Sequence, residues 1–218
     1  MRQGDQILFG LERAARAGAD VELLNGYKGL PIITTASLVK VGDGLATLKV
    51  QKRQAACLGL EGHTYILCAE LDEAASATVV ELDKAAGTVA LANFLYAGRK
   101  IGERAIVRVE PKESGLVTIR VGGQTLNGGL IDISMDGVGV HLATPGVDHL
   151  LKRQTTVQAS FQLPNAQLEF SGTVVYLKTI GDSFRAGIDF SQASHLASAV
   201  TNYISQRRTE ILNELDMV

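Results

Sequence analysis

LEFSGTVVYLKTIGDSFRAGIDFS, residues 168–191, consists of two runs of aliphatic, aromatic and β-branched residues that meet at Gly181-Asp182. Such runs read as strands, and the glycine-aspartate pair between them reads as a hairpin turn. The same pattern extends upstream through QTTVQASFQLP (154–164), GVGVHLA (137–143), TLNGGLIDIS (125–134), GLVTIRVGG (115–123) and RAIVRVEP (104–111). Gly122-Gly123 and Asp136-Gly137 mark turns between members of the series. That many short strands predict a closed or nearly closed barrel, which removes exposed edges. Downstream, Leu196, Val200, Tyr203, Ile204, Ile211 and Leu215 recur at helical spacing, with Ser191 or Ser194 placed to cap the helix. A helix of this length needs an apolar surface to lie on, either its own barrel or a second copy, so a homodimer through it stays open.

The first half repeats the theme. Ile7, Leu8, Leu11, Ala14 and Ala15 predict an amphipathic helix over residues 5–17 that stops at Gly18. ADVELLNGYKGLPIITTASLVKVGDGLATLKVQ (19–51), TYILCAEL (64–71), SATVVELD (76–83) and GTVALANFLY (87–96) then read as five or six strands, with turns at Asn25-Gly26 and Gly42-Asp43-Gly44. AGRKIGER (97–104) is charged and lacks periodicity, as a linker does. The expected chain is therefore mainly β. It has two antiparallel β-barrel domains in tandem, residues 1–98 and 99–218, with a helix at each end of the sequence and a linker over 99–108.

Composition sets the bounds. A chain of 218 residues is long for one small domain and suits two. Its 46% hydrophobic content and 20% charge belong to folded proteins rather than disordered ones. The net charge of −2 argues against a general DNA binder, which needs a broad cationic face, but leaves room for a small anion held by a few arginines. Cys57 and Cys68 lie in apolar surroundings and suit buried free thiols better than a disulfide framework or a zinc site. No run has signal-peptide character or the length of a membrane span, so a cytoplasmic protein is expected. His63, His141, His149 and His195 are scattered, and VGDGLATLK lacks the context of a phosphate loop. Neither an enzyme nor a cofactor is expected.

Two short patterns remain. ERAIVRVEP (103–111) sets Arg104 and Arg108 four positions apart, and DISMDG (132–137) places Asp132 and Ser134 on one side of a strand end, before Gly137 at a position expected to need positive φ. Each alone fits a solvated linker or an ordinary turn. Together, about two dozen residues apart, Arg-x-x-x-Arg and Asp-x-Ser-x-x-Gly resemble the signature of PilZ domains, bacterial receptors for cyclic di-GMP. The resemblance runs through SGTVVYLKTIGDSFRAGIDF and covers residues 99–218. The first half resembles the amino-terminal split barrel of flagellar brake-type PilZ proteins.

The resemblance implies a cyclic di-GMP effector whose ligand is held by Arg104, Arg108, Asp132, Ser134 and Gly137. The chemistry fits. The ligand carries two phosphates and two guanines, whose O6 and N7 acceptors suit a guanidinium fork. Arginine also stacks on purine faces. Asp132 would accept from guanine N1 and N2, Ser134 would add a hydroxyl, and Gly137 would let the backbone approach. Many family members carry another arginine immediately before the first of the pair; here Glu103 stands there, which predicts one ligand per site. The two-domain resemblance implies a protein target such as a flagellar motor or chemotaxis component, and control of motility or biofilm-type behaviour. The alternative is a PilZ-like interaction module with little or no nucleotide binding. A flavin-binding split barrel finds no basic phosphate-reading cluster in the first half.

Overall fold

The computed structural model describes residues 2–98 and 107–218. Contacts group the chain into two compact units, Met1–Ala105 with Ile211–Val218, and Ile106–Glu210. No helix among the described residues is long and apolar enough to cross a membrane.

The first unit opens with α1 (Gln3–Ala17), which ends where Gly18 adopts a left-handed φ of 64°. β1 (Asp20–Tyr27), β2 (Leu30–Gly42), β3 (Leu45–Lys49), α2 (Lys52–Glu61), β4 (His63–Leu67), β5 (Ala75–Asp83) and β6 (Thr88–Tyr96) follow. The six strands close into an antiparallel barrel in the order β1-β2-β3-β6-β5-β4. Leu23, Leu48, Ile66 and Leu91 fill it, and Ile7 and Leu11 of α1 join the same core.

Two expectations shift here. The β1–β2 turn is Lys28-Gly29, with φ of 47° and 83°, and not Asn25-Gly26. Asn25 is instead buried within β1, donating to Glu61 and to the His63 carbonyl while accepting from Gln54. Helix α2 gives no signal in the sequence, because its buried residues run consecutively from Gln54 to Leu58 and leave no helical stripe to read. Cys57 is buried and Cys68 half-buried, both as free thiols. Burial, reinforced by Glu61, pushes the Cys57 thiol up to about 11.

The second unit contains β7 (Arg108–Val109), β8 (Leu116–Val121), β9 (Gln124–Ser134), β10 (Gly137–Leu142), α3 (Val147–Leu150), β11 (Thr156–Leu163), β12 (Ala166–Ile180) and β13 (Ser183–Asp189). A 3-10 turn (Ser194–Leu196) leads into α4 (Ala197–Asp216), whose last residues group with the first unit. Strands β10-β13-β12-β11-β8-β9 form a ring that the β9–β10 pairing closes, and β7 adds to β9. The β12–β13 hairpin turns at Gly181-Asp182 as expected, with Gly181 at φ 57°. Ile119, Ile133, Val140, Phe161 and Ile188 fill this barrel, and Phe170 packs against both Phe161 and Phe190. Neither candidate serine caps the terminal helix: the Ser191 amide and hydroxyl both donate to Asp189 Oδ1. Arg207 falls on the buried stripe of α4 between Ile204 and Ile211. Its Nε donates to the Glu110 carbonyl at 2.9 Å.

Candidate functional site

The site lies where β7, β9, β10, β12 and β13 meet, and two β-bulges create it. Along β9 and β10, Asp132 pairs with Gly139 but Leu130 pairs with Val140, so Ile131 is an extra residue. Leu130 and Ile133 consequently both point into the core, and Asp132 and Ser134 turn to the opposite face. Along β12 and β13, Val174 pairs with Ile188 and Tyr176 with Gly187, so Val175 is extra. Val174 stays in the core and Tyr176 turns away from it.

The pairings align one row across four strands: Asp132, Gly139, Gly187 and Tyr176. The two glycines in the middle keep the row low. A Cβ on Gly139 would lie 2.8 Å from the Asp132 carboxylate, and one on Gly187 would lie 2.3 Å from the Tyr176 ring. Asp132 and Tyr176 thus each lie over a glycine.

Of the residues singled out from sequence, the structure brings four together. Arg108 pairs with Ser134 in the β7–β9 ladder, and its Nη1 lies 3.9 Å from Asp132 Oδ1, an ion pair without a hydrogen bond. Asp132 is 8% exposed. Ser134 is buried, and its hydroxyl donates within the turn, to Asp136 Oδ1 at 2.5 Å and to the Gly137 carbonyl at 3.1 Å. Gly137 requires a correction. It does not adopt a positive φ; it opens β10, where a Cβ would stand 2.7 Å from the Ile188 carbonyl oxygen. Close approach, not backbone handedness, demands glycine there. Arg104 and Glu103 lie outside the described residues.

Two members of the cluster carried no signal in the sequence. Arg185, on β13, donates from Nη2 to Asp132 Oδ2 at 2.5 Å across 53 residues of chain. Partial burial disfavours its charge, but Tyr176 and Asp132 outweigh that and raise its pKa above the ordinary arginine value. Tyr176 lines a shallow hollow with Arg108, Gly137, Val175, Gly187 and Asp189. The side-chain period of strands, read with two bulges in place, would have put both residues on this face; without the bulges it puts Tyr176 on the other.

The assembly is one buried carboxylate with a guanidinium on either side and an aromatic ring at the end of the row. It can bind an anion at the arginines and a donor edge at the carboxylate. Among the described residues, no group of three or more His, Cys, Asp or Glu side chains is placed to hold a metal ion.

Residues 103–206 match the family model of the PilZ domain. Among solved structures the chain is similar to the Bacillus subtilis inhibitor of motility (MotI/DgrA), at 14% identity and a TM-score of 0.47, with 88% of this chain and 97% of that one covered. It is similar to YcgR from Escherichia coli in complex with c-di-GMP, at 14% identity and a TM-score of 0.47, covering 99% and 96%. It is also similar to the K. pneumonia MrkH–c-di-GMP complex, at 12% identity and a TM-score of 0.49, covering 98% and 97%. No curated protein matches the chain by sequence.

Proposed function

We propose, from the premise that residues 103–206 are a PilZ domain, that the chain is a receptor for cyclic di-GMP. The observation that carries this reading is the convergence of Arg108 and Asp132, members of two motifs far apart in sequence, on one end of the second barrel. A guanidinium beside a carboxylate meets both needs of this ligand: an acceptor-rich phosphate or guanine edge for the arginine, and the guanine N1 and N2 donors for the carboxylate. Arg104 completes the arginine pair in this reading, Ser134 and Gly137 shape the turn against which the base lies, and Glu103 limits occupancy to one ligand per chain. The role is binding, not turnover.

Occupancy would reorganise the segment that carries Arg104, change the arrangement of the two units and alter the affinity for a protein target. The sequence resemblance to flagellar brake-type proteins supports an output in motility or biofilm-type behaviour through a motor or chemotaxis component. The net charge of −2 favours a protein target over a DNA duplex.

Isothermal titration with cyclic di-GMP tests the reading, with GTP and cyclic di-AMP as competitors. The expected result is saturable binding at one ligand per chain, weakened at least a hundredfold in Arg104→Ala and Arg108→Ala. No heat and no rise in melting temperature from a folded protein would leave the chain as an interaction module.

A further inference from the structure

Among the described residues, one buried side-chain polar atom has no hydrogen-bond partner, and it is Arg185 Nε. Buried donors in folded proteins almost always find an acceptor, and each exception calls for an explanation. Nε and Nη2 share one edge of a guanidinium and point the same way. Arg53 shows the usual use of that edge in this chain, with Nε 2.6 Å and Nη2 2.7 Å from the two oxygens of Asp216. Arg185 engages only half of it: Nη2 reaches Asp132 Oδ2 and Nε is left bare.

The neighbours of the side chain leave Nε without an acceptor. Its β10 neighbour is His141 and its β12 neighbour is Lys178, a cation with no acceptor to offer. Tyr176 favours the guanidinium charge, in part as a side-chain hydrogen-bond partner, yet Nε itself remains without one. A carboxylate has about four lone-pair sites, so Asp132 still has room for other donors while Arg185 holds one oxygen.

We propose that Arg185 is a specificity-determining residue that contacts the ligand, its Nε donating to guanine O6 while its Nη2 holds Asp132. The proposal rests on the cyclic di-GMP reading. Guanine presents O6 directly beside the N1 donor that Asp132 would accept, so an acceptor arrives on the same edge as the existing Arg185–Asp132 bond. Arginine and carboxylate then read O6, N1 and N2 together. Adenine offers a donor in place of O6 and meets the Nε donor with another donor. The selection against adenine comes from that mismatch, since a site built to hydrogen-bond one group rejects a ligand that leaves its polar atoms unpaired.

Arg185→Lys is the test, because lysine keeps the charge on Asp132 but lacks the second donor on a shared edge. Titrations of wild type and variant use cyclic di-GMP and its 6-thio analogue, in which O6 becomes a weak acceptor. The expected result is about a tenfold loss of cyclic di-GMP affinity in Arg185→Lys, with the melting temperature held within a few degrees. The 6-thio substitution should weaken wild type by a similar factor and leave Arg185→Lys nearly unchanged. Arg185→Lys binding cyclic di-GMP as wild type does, or the two losses simply adding, would reduce Arg185 to a structural partner of Asp132. Should the variant not fold, wild type alone decides: undiminished binding of the 6-thio analogue overturns the contact. Failure of wild type to bind cyclic di-GMP at all would instead remove the receptor reading on which the contact depends.

Discussion

Two arginine–aspartate pairs in this chain use the same chemistry to different ends. Arg53 and Asp216, in the first unit, are both more than 40% exposed and meet through two bonds on one guanidinium edge. Both donors of that edge are engaged. Arg185 and Asp132, in the second, meet through a single bond, with the carboxylate 8% exposed, a second arginine 3.9 Å from its other oxygen, and an unpartnered Nε. A pair that engages the whole of its shared edge holds elements together. A buried pair with capacity to spare is unfinished, and the missing groups describe what should bind there.

The difference should be largest when the aspartates are truncated. Asp132→Ala strips the counter-charge from two arginines and is expected to abolish cyclic di-GMP binding, more than a hundredfold by calorimetry. Removing one member of a buried pair costs about 3–5 kcal/mol. Because both arginine side chains are about a third exposed, solvent screening brings the expected loss in urea denaturation to about 1–2 kcal/mol.

Next in size are the two glycines of the row. Gly187→Ala drives a Cβ into the Tyr176 ring and Gly139→Ala drives one into the Asp132 carboxylate. Each is expected to cost about 1–2 kcal/mol of stability, as overpacking does. Ligand affinity should fall about tenfold in each case. Affinity unchanged in Gly139→Ala would separate Asp132 from the binding surface.

The smallest effect belongs to the exposed pair. Hydrogen bonding from Arg53 holds the Asp216 carboxyl below its ordinary value. The folded-state pKa is depressed, so the pair's contribution is fully present above the unfolded carboxylate pKa of about 4 and is lost as pH falls through the lower folded value. Asp216→Asn should lower the melting temperature slightly at neutral pH and low salt. The difference should close in acid and shrink in salt. A difference that persists unchanged at low pH would contradict the assignment.

The contrast also shows how much of this molecule was legible in the sequence. Barrel strands announced themselves through glycine turns, and Asp43-Gly44, Gly122-Gly123 and Gly181 take the positive φ expected of hairpins. Asn25-Gly26 looked the same but lies within strand β1, with Asn25 buried, because Asn25 serves Glu61, His63 and Gln54 across the fold. Asp132 and Ser134 were legible as a pair on one face, since two residues along a strand always share one. Which face they share depends on Ile131 bulging out of the ladder, and no composition signal marks that residue. Tyr176 depends likewise on Val175. Arg185 was invisible for a different reason: its partner lies 53 residues away, and only ring closure through β10 brings the two strands within reach of each other.

Titration of cyclic di-GMP into Asp132→Asn and Asp216→Asn, side by side with wild type, tests the central claim most directly. Both variants remove one charge from an arginine partner and keep the side-chain shape. The prediction is no measurable binding in Asp132→Asn and wild-type affinity in Asp216→Asn. Equal affinity in the two variants would contradict it, because the buried pair would then be scaffold like the exposed one.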